Sequence, residues 1–255
     1  MPLDPTLLLI YITVFIFGLC FGSFFNVCTD RLPRHESIVT VRSHCESCGY
    51  DLKWYDNIPL LSYLFLRGRC RKCHAKLSIK YPLMEAVTGA LFVLIFVFHG
   101  ISVESVIWCL ASGALLTISV IDWRTYEIPI GLNYFLLALG LIHLVTDLKN
   151  WPDYLIGAVS VSLLLYIIYL VSKGRAIGGG DIKLMAVAGL LLGWKLCVFG
   201  FLVGCITGSI VHIIRMKVSR ADHMLAMGPY LAFGLYLAML VGDRFMDWYL
   251  GMLHM

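Results

Sequence analysis

The sequence predicts an all-α polytopic membrane protein of about eight transmembrane helices, with one small polar loop module after the first of them. Three observations carry this. The composition is apolar and gathered into long runs, positive charge is confined to alternate loops, and one polar insertion stands apart from the rest. Of 255 residues, 60% are hydrophobic and 14% charged, where a soluble domain carries about 25% charged residues. The apolar runs lie at 7–27, 90–98, 103–121, 132–145, 154–171, 196–214 and 225–241. A helix that crosses a bilayer needs about 20 mostly apolar residues. Several runs reach that length alone, and the shorter ones do so with their Gly, Ser and Trp neighbours. A further short stretch, 182–193, completes the eight and could be partly re-entrant. A large soluble helical core is excluded, because almost no run carries a polar face.

The first run lacks the basic start of a signal peptide: residues 1–6 contain Asp4 and no Lys or Arg. It reads as a retained helix that begins outside. Ten of the twenty Lys and Arg residues fall between Arg31 and Lys80. Arg124, then Lys173, Arg175 and Lys183, then Arg215, Lys217 and Arg220 mark the next three basic loops. The intervening loops and the C-terminus hold only Lys149, Lys195 and Arg244. Cytoplasmic loops carry such an excess, so both termini are expected outside and the 31–80 loop in the cytoplasm. The division expected is a first transmembrane helix over 1–28, a cytoplasmic loop module over 29–82 and a transmembrane helical core over 83–255. The net charge of +4 is a matter of topology and gives no reason to expect nucleic acid.

The 29–82 insertion contains Cys45 and Cys48, then Cys70 and Cys73. Two CxxC pairs at this separation form a zinc-ribbon pattern. Two intervening residues let both thiolates turn onto one metal, and four close a tetrahedral, structural site. A module this small has little core, so the metal would supply much of its folding energy. Two disulfides or four free thiols are the other readings. A reducing cytoplasm disfavours the disulfides. His44 and His74 flank the pairs and could replace a Cys ligand. Cys20, Cys28, Cys109, Cys197 and Cys205 lie in or beside apolar runs and read as small packed hydrophobes.

Acidic residues in or beside membrane spans are expensive and are functional candidates. Asp122 ends the third span and Asp181 begins the sixth, after Gly178, Gly179 and Gly180. In the eight-span arrangement both lie at the same membrane face. Two carboxylates at one site share a proton, which suits peptide hydrolysis: one activates water while the other donates to the carbonyl. The glycines would let an extended strand approach the backbone. Blander readings stand beside this. Asp181 could cap the following helix, and Asp122 could be an interfacial anion paired with Arg124 or Lys183. No GxxxxGK[ST] and no GxGxxG after a strand occurs.

At this point the residues resemble a family, the type 4 prepilin peptidases, or leader peptidase/N-methyltransferases, among the GxGD aspartic membrane proteases. The likeness runs along nearly the whole chain. It covers residues 22–27 (GSFFNV), 31–34 (RLPR), both CxxC pairs, 57–63 (NIPLLSY), Ser78, Ile79, Tyr81, Pro82 and Glu85. It continues through the Asp122 segment ending in Ile128 and Pro129, then 178–184 (GGGDIKL) and 228–232 (GPYLA). The resemblance implies that Asp122 and Asp181 are the catalytic pair of an aspartic endopeptidase. The expected substrates are type 4 prepilins and pseudopilin precursors, cut at the cytoplasmic face of a bacterial inner membrane, just after the glycine ending a short basic leader. It also implies methylation of the new N-terminal amine from S-adenosylmethionine, with the zinc-bearing loop accompanying that second activity. Glu46 stands where the family often has Pro, and Ile130 where it often has Asp.

Lys183 and Glu85 are candidate supporting or substrate residues, with a snorkelling lysine and an interfacial salt bridge as the alternatives. Asn26 reads as a hydrogen bond between helices. Trp123, Trp151, Tyr154, Trp194 and Trp248 read as interface anchors. Membrane lipid is an expected partner. The competing functions are a peptidase without methyl transfer, a proton-coupled transporter using the aspartates as a relay, and a zinc-dependent scaffold. No convincing internal repeat favours the transporter.

Overall fold

A computed structural model of the chain describes residues 5–219 and 225–253. The helices are α1 (Pro5–Arg31), the short α2 (Leu61–Phe65), α3 (Lys80–His99), α4 (Val103–Thr125), α5 (Ile130–Thr146), α6 (Trp151–Val171), α7 (Gly179–Ser219) and α8 (Gly228–Leu253). No strand forms among the described residues; two isolated bridges lie in the polar module. Five helical stretches are long and apolar enough to cross a membrane, and α5 is a shorter apolar one. One of the five is α7, which is broken at Gly193 (φ 76°, ψ 169°) into two helices. With α8, that gives the eight apolar helices expected. The chain divides into two compact units, Met1–Ile101 and Ser102–Met255.

In the first unit α1 packs along α3. A Cβ added to Gly18 would stand 2.6 Å from the Gly89 Cα, so the two helices meet backbone to backbone. The Asn26 amide donates to the Tyr81 carbonyl at 3.0 Å, joining the two helices as expected. Arg31, buried at the end of α1, donates to the carbonyls of Ser37, Val41 and Arg42 and fastens the chain that leaves the helix.

The polar module contains a repeat that its sequence hardly shows. Cys45 N–H bonds to Tyr50 C=O, Gly49 N–H to Cys45 C=O and Leu52 N–H to Ser43 C=O. Twenty-five residues on, Cys70 bonds to Ala75, His74 to Cys70 and Leu77 to Gly68 in the same pattern. Each knuckle turns through a left-handed residue after its second Cys, Gly49 (φ 67°) in one and His74 (φ 58°) in the other. Asp56 ties the module together. Its carboxylate accepts from Arg71 at 2.6 Å, from the Lys53 N–H at 3.2 Å and from the Tyr50 hydroxyl at 3.3 Å. Burial raises the Asp56 pKa, but the Arg71 guanidinium and the Lys53 N–H outweigh it and hold the carboxyl below its usual range.

In the second unit α4 is the most enclosed span, with 67% of its apolar window buried. Ile107, Ala111, Ala114, Ile118 and Ile121 recur at spacings of three and four, a continuous helical face. Ser102 starts this helix by accepting the Ser105 N–H at 3.0 Å. The core is completed by α7 and α8, through Leu184, Met185 and Leu191 on one and Leu231, Leu235 and Met239 on the other. α7 packs against α5, α6 and α8. Its second half carries Gly200, Gly204 and Gly208 four residues apart, and these receive Leu235, Leu231 and Tyr230 of α8, a close-packed small-residue seam.

The break at Gly193 is held from two sides. His143 of α5 is buried, and its Nδ1 lies 2.8 Å from the Leu191 carbonyl. A carbonyl only accepts, so Nδ1 carries the proton. This satisfies one of the carbonyls that a helix end leaves open. From α6, Tyr154 lies edge-on to His143 at 5.2 Å, and its hydroxyl donates to Asp147 at 2.8 Å. Tyr154 is therefore buried and is not the interface anchor expected from its position. It shares the stripe Tyr154, Gly157, Val161, Leu165 that α6 buries, and that stripe faces α7, with Gly157 against Gly189.

Candidate active site and metal centre

Three helix ends meet at one end of the second unit. Asp122 ends α4, on the buried face it shares with Leu115 and Ile118, and is itself 4% exposed. α4 closes one residue after Thr125, where Tyr126 takes a left-handed conformation and returns its N–H to the Asp122 carbonyl at 2.9 Å. Asp181 sits in the first turn of α7, and its Oδ2 lies 3.1 Å from where a Cβ on Gly178 would stand. Gly180 lies against Ile128, whose Cβ would be 3.1 Å from a Cβ at Gly180. So the turn after Asp122 and the glycine run before Asp181 touch.

The third end is the start of α8. The Gly228 N–H donates to Asp122 Oδ2 at 2.8 Å. This completes the accounting of free amides at that helix start. Pro229 has none to offer, and those of Tyr230 and Leu231 go to the Met227 carbonyl at 3.1 and 3.0 Å. The positive end of a helix dipole thus faces the Asp122 carboxylate. A Cβ on Gly228 would stand 2.8 Å from Asp122 Oδ2 and 3.0 Å from its Cβ. Only glycine fits. Nothing local in the GPYLA stretch marks this role of Gly228, whose partner lies 106 residues away.

The remaining candidates are distributed differently. Lys183 is exposed on α7, two residues past Asp181. Glu85 belongs to the first unit. It is buried, and its Oε2 accepts the Leu60 N–H at 2.8 Å, where the chain takes a strained positive φ of 57° to enter α2. Glu85 also lines a cavity of about 470 Å³ together with Asn26, Asp30, Tyr63 and Tyr81. Trp123 is half exposed, with the Arg215 guanidinium 5.0 Å from its ring centre. Arg220, counted among the basic loop residues, lies outside the described residues.

The four cysteines of the module converge. Their sulfurs all lie within 4.8 Å of one another, with Cys45 to Cys73 at 3.8 Å and Cys48 to Cys70 at 4.0 Å. Four thiolates around a metal at about 2.3 Å stand about 3.8 Å apart, so the set fits a tetrahedral ion. The backbone N–H groups of Cys73 and Lys72 hold the Cys70 thiol down to about 6. The Tyr50 N–H favours a Cys48 thiolate, but burial and the three neighbouring sulfurs push that group up to about 12. The two shifts oppose each other because charge on one sulfur resists charge on the next. A cation among them removes the conflict. Neither His44 nor His74 belongs to the cluster. Cys28, Cys109 and Cys197 are buried apart from it, Cys205 is partly buried and Cys20 is exposed.

A family model described as the bacterial peptidase A24 N-terminal domain matches residues 16–99, and that of the type IV leader peptidase family matches residues 109–213. A prepilin leader peptidase/N-methyltransferase of Bacillus subtilis (strain 168) is 36% identical over 244 residues, which cover 94% of this chain and 97% of that protein. Proteins of the same name from Pseudomonas putida and Klebsiella pneumoniae are 33% and 38% identical. They cover 90% and 71% of the chain, and 90% and 85% of their own lengths. No solved structure matches. Both family matches lie in one chain, in the order of its two units, and relatives align along nearly its full length; the chain belongs to the type IV leader peptidase family.

Proposed function

We propose that this multi-pass membrane protein cleaves the leader peptide from type IV prepilins with Asp122 and Asp181 as its catalytic pair, and then methylates the amine it exposes. The observation that carries the reading is that the turn after Asp122 and the glycine run before Asp181 touch at one end of the second unit, with Asp122 fixed by a helix N-terminus. Two carboxylates at one site share a proton between them. The ionised member takes a proton from water, the protonated member donates to the scissile carbonyl, and the roles reverse as the amine leaves. The glycine run before Asp181 offers a backbone that an extended substrate can approach closely. This end carries Arg124 in the last turn of α4, Lys173 and Arg175 between α6 and α7, and Lys183 near the start of α7, which supports a cytoplasmic active site in a bacterial inner membrane. Prepilin-like precursors are the substrates by this reading, and membrane lipid is the surrounding partner. The proton-relay transporter is set aside, since the relatives carry enzyme names throughout.

Zinc is the ion proposed for Cys45, Cys48, Cys70 and Cys73, as a closed and structural site, because four thiolates in a tetrahedron suit it. The methyl donor proposed is S-adenosylmethionine. The first unit's cavity has the volume of a small-molecule site and presents the carboxylates of Asp30 and Glu85, the complement of a sulfonium cation; with Asn26 and Tyr63 they would hold it. When bound, that group supplies the methyl for the new N-terminal nitrogen.

The test is incubation of purified protein with a prepilin-type precursor, with and without S-adenosylmethionine, followed by mass spectrometry of the N-terminus. Asp122→Asn and Asp181→Asn should each lower cleavage by about 10²–10⁴-fold while leaving fold and metal content intact. Asn caps a helix about as well as Asp, so a merely structural aspartate would tolerate the change. Near wild-type cleavage by either variant removes that residue from the mechanism.

A further inference from the structure

Asn133 is 4% exposed, and neither its amide nitrogen nor its amide oxygen has a partner among the described residues. A buried amide without hydrogen bonds is costly, so a chain that keeps one at such a point calls for a reason. Its position gives one. Asn133 lies seven residues before Gly140 on α5, two turns back on the same face. A Cβ at Gly140 would stand 3.3 Å from the Leu191 amide nitrogen. Two residues ahead of α5, Ile128 touches Gly180 at the start of α7. Residues about fifty apart in number are therefore side by side along α5 and the first half of α7, which run in the same direction. That register brings Asn133 beside the first turns of α7, about one turn from Asp181. The Tyr230 hydroxyl, two residues past Gly228, is likewise buried and unpaired.

A carboxamide offers one acceptor and two donors in a plane, the complement of a peptide group. We propose that Asn133 binds the main chain of the substrate, accepting a backbone N–H and donating to a backbone C=O of the extended segment at the cleavage site. This rests on the assignment of Asp181 to catalysis and names what else the same site recognises. A side chain that reads main chain is indifferent to substrate sequence. It would serve any precursor held extended at that point.

The test separates binding from packing, because the two predict the same stability and different cleavage rates. Asn133→Leu removes an unpaired polar group and fills the same space, so a merely buried asparagine predicts a melting temperature equal or higher and cleavage unchanged. Substrate binding predicts the same melting behaviour with kcat/KM lowered about ten- to hundredfold, for two lost hydrogen bonds. The partner atom is found with synthetic precursor peptides N-methylated at one backbone position at a time around the cut. One position should cost the wild type about three- to tenfold more than it costs Asn133→Leu. Unchanged kcat/KM in the variant, or equal N-methyl effects in both proteins at every position, overturns the proposal and leaves a structural water as the occupant. Should the leucine variant fail to fold, Asn133→Ala is read in the same scan. Asp181→Asn is run alongside. Cleavage retained there rejects the dyad, and the peptide scan still reads Asn133.

Discussion

Because the Gly228 amide reaches Asp122 at 2.8 Å, even a methyl group at position 228 must push the carboxylate or the start of α8 aside. Gly228→Ala should therefore cut cleavage at least about tenfold, since small misplacements of a reacting group are expensive. Metal content should stay unchanged, as a metal assay on the purified variant would show. The two aspartates were legible in the sequence because charge at the end of an apolar run is conspicuous. Gly228 and Asn133 were not: the importance of the first is the absence of a side chain, and that of the second depends on which face of α5 is buried. In the module, His74 occupies a left-handed position that its counterpart fills with Gly49. His74→Gly should leave one metal per chain and stabilise the knuckle by up to about 1 kcal/mol. Loss of the metal in that variant would make His74 a ligand after all.

Helix α7 shows how far a run of apolar residues can be read. The span 182–193 was recognisable as short and its neighbour 196–214 as full length, and the break falls at Gly193, where the first of them was expected to end. Lys195 marks the gap, but nothing local says that the φ of Gly193 is positive. What stabilises the break comes from α5, at His143. Removing that imidazole strands the Leu191 carbonyl, so His143→Ala should destabilise the fold by about 1–3 kcal/mol, measured by denaturant unfolding in detergent. The glycine seam over Gly200, Gly204 and Gly208 was present in the sequence at a regular spacing of four and could have been found by that spacing. The repeated knuckles were harder. Their likeness lies in backbone hydrogen bonds, and beyond the paired cysteines the two segments share little except Leu52 and Leu77.

For the molecule as a whole, the division into two compact units means that removing the metal should act unevenly. A strong chelator should raise amide hydrogen exchange across residues 43–77, where the proposed metal would stand in for a core. The amides of α4 should remain protected, because its side chains are buried without any ion. Equal loosening of both would show that the metal supports more than its own module. The first half of α7 has a different consequence. From 179 to 192 it has 14 residues, and a helix of that length covers about 21 Å, about 9 Å less than the hydrocarbon thickness of a bilayer. Such a mismatch is relieved by local thinning of the bilayer or by flanking side chains that reach for the interface. Asp181 stands in the first turn of this short element. A hydrolase must bring water to a bond in a membrane-held substrate, and a bilayer thinned around so short a helix would bring the aqueous boundary closer to its first turn.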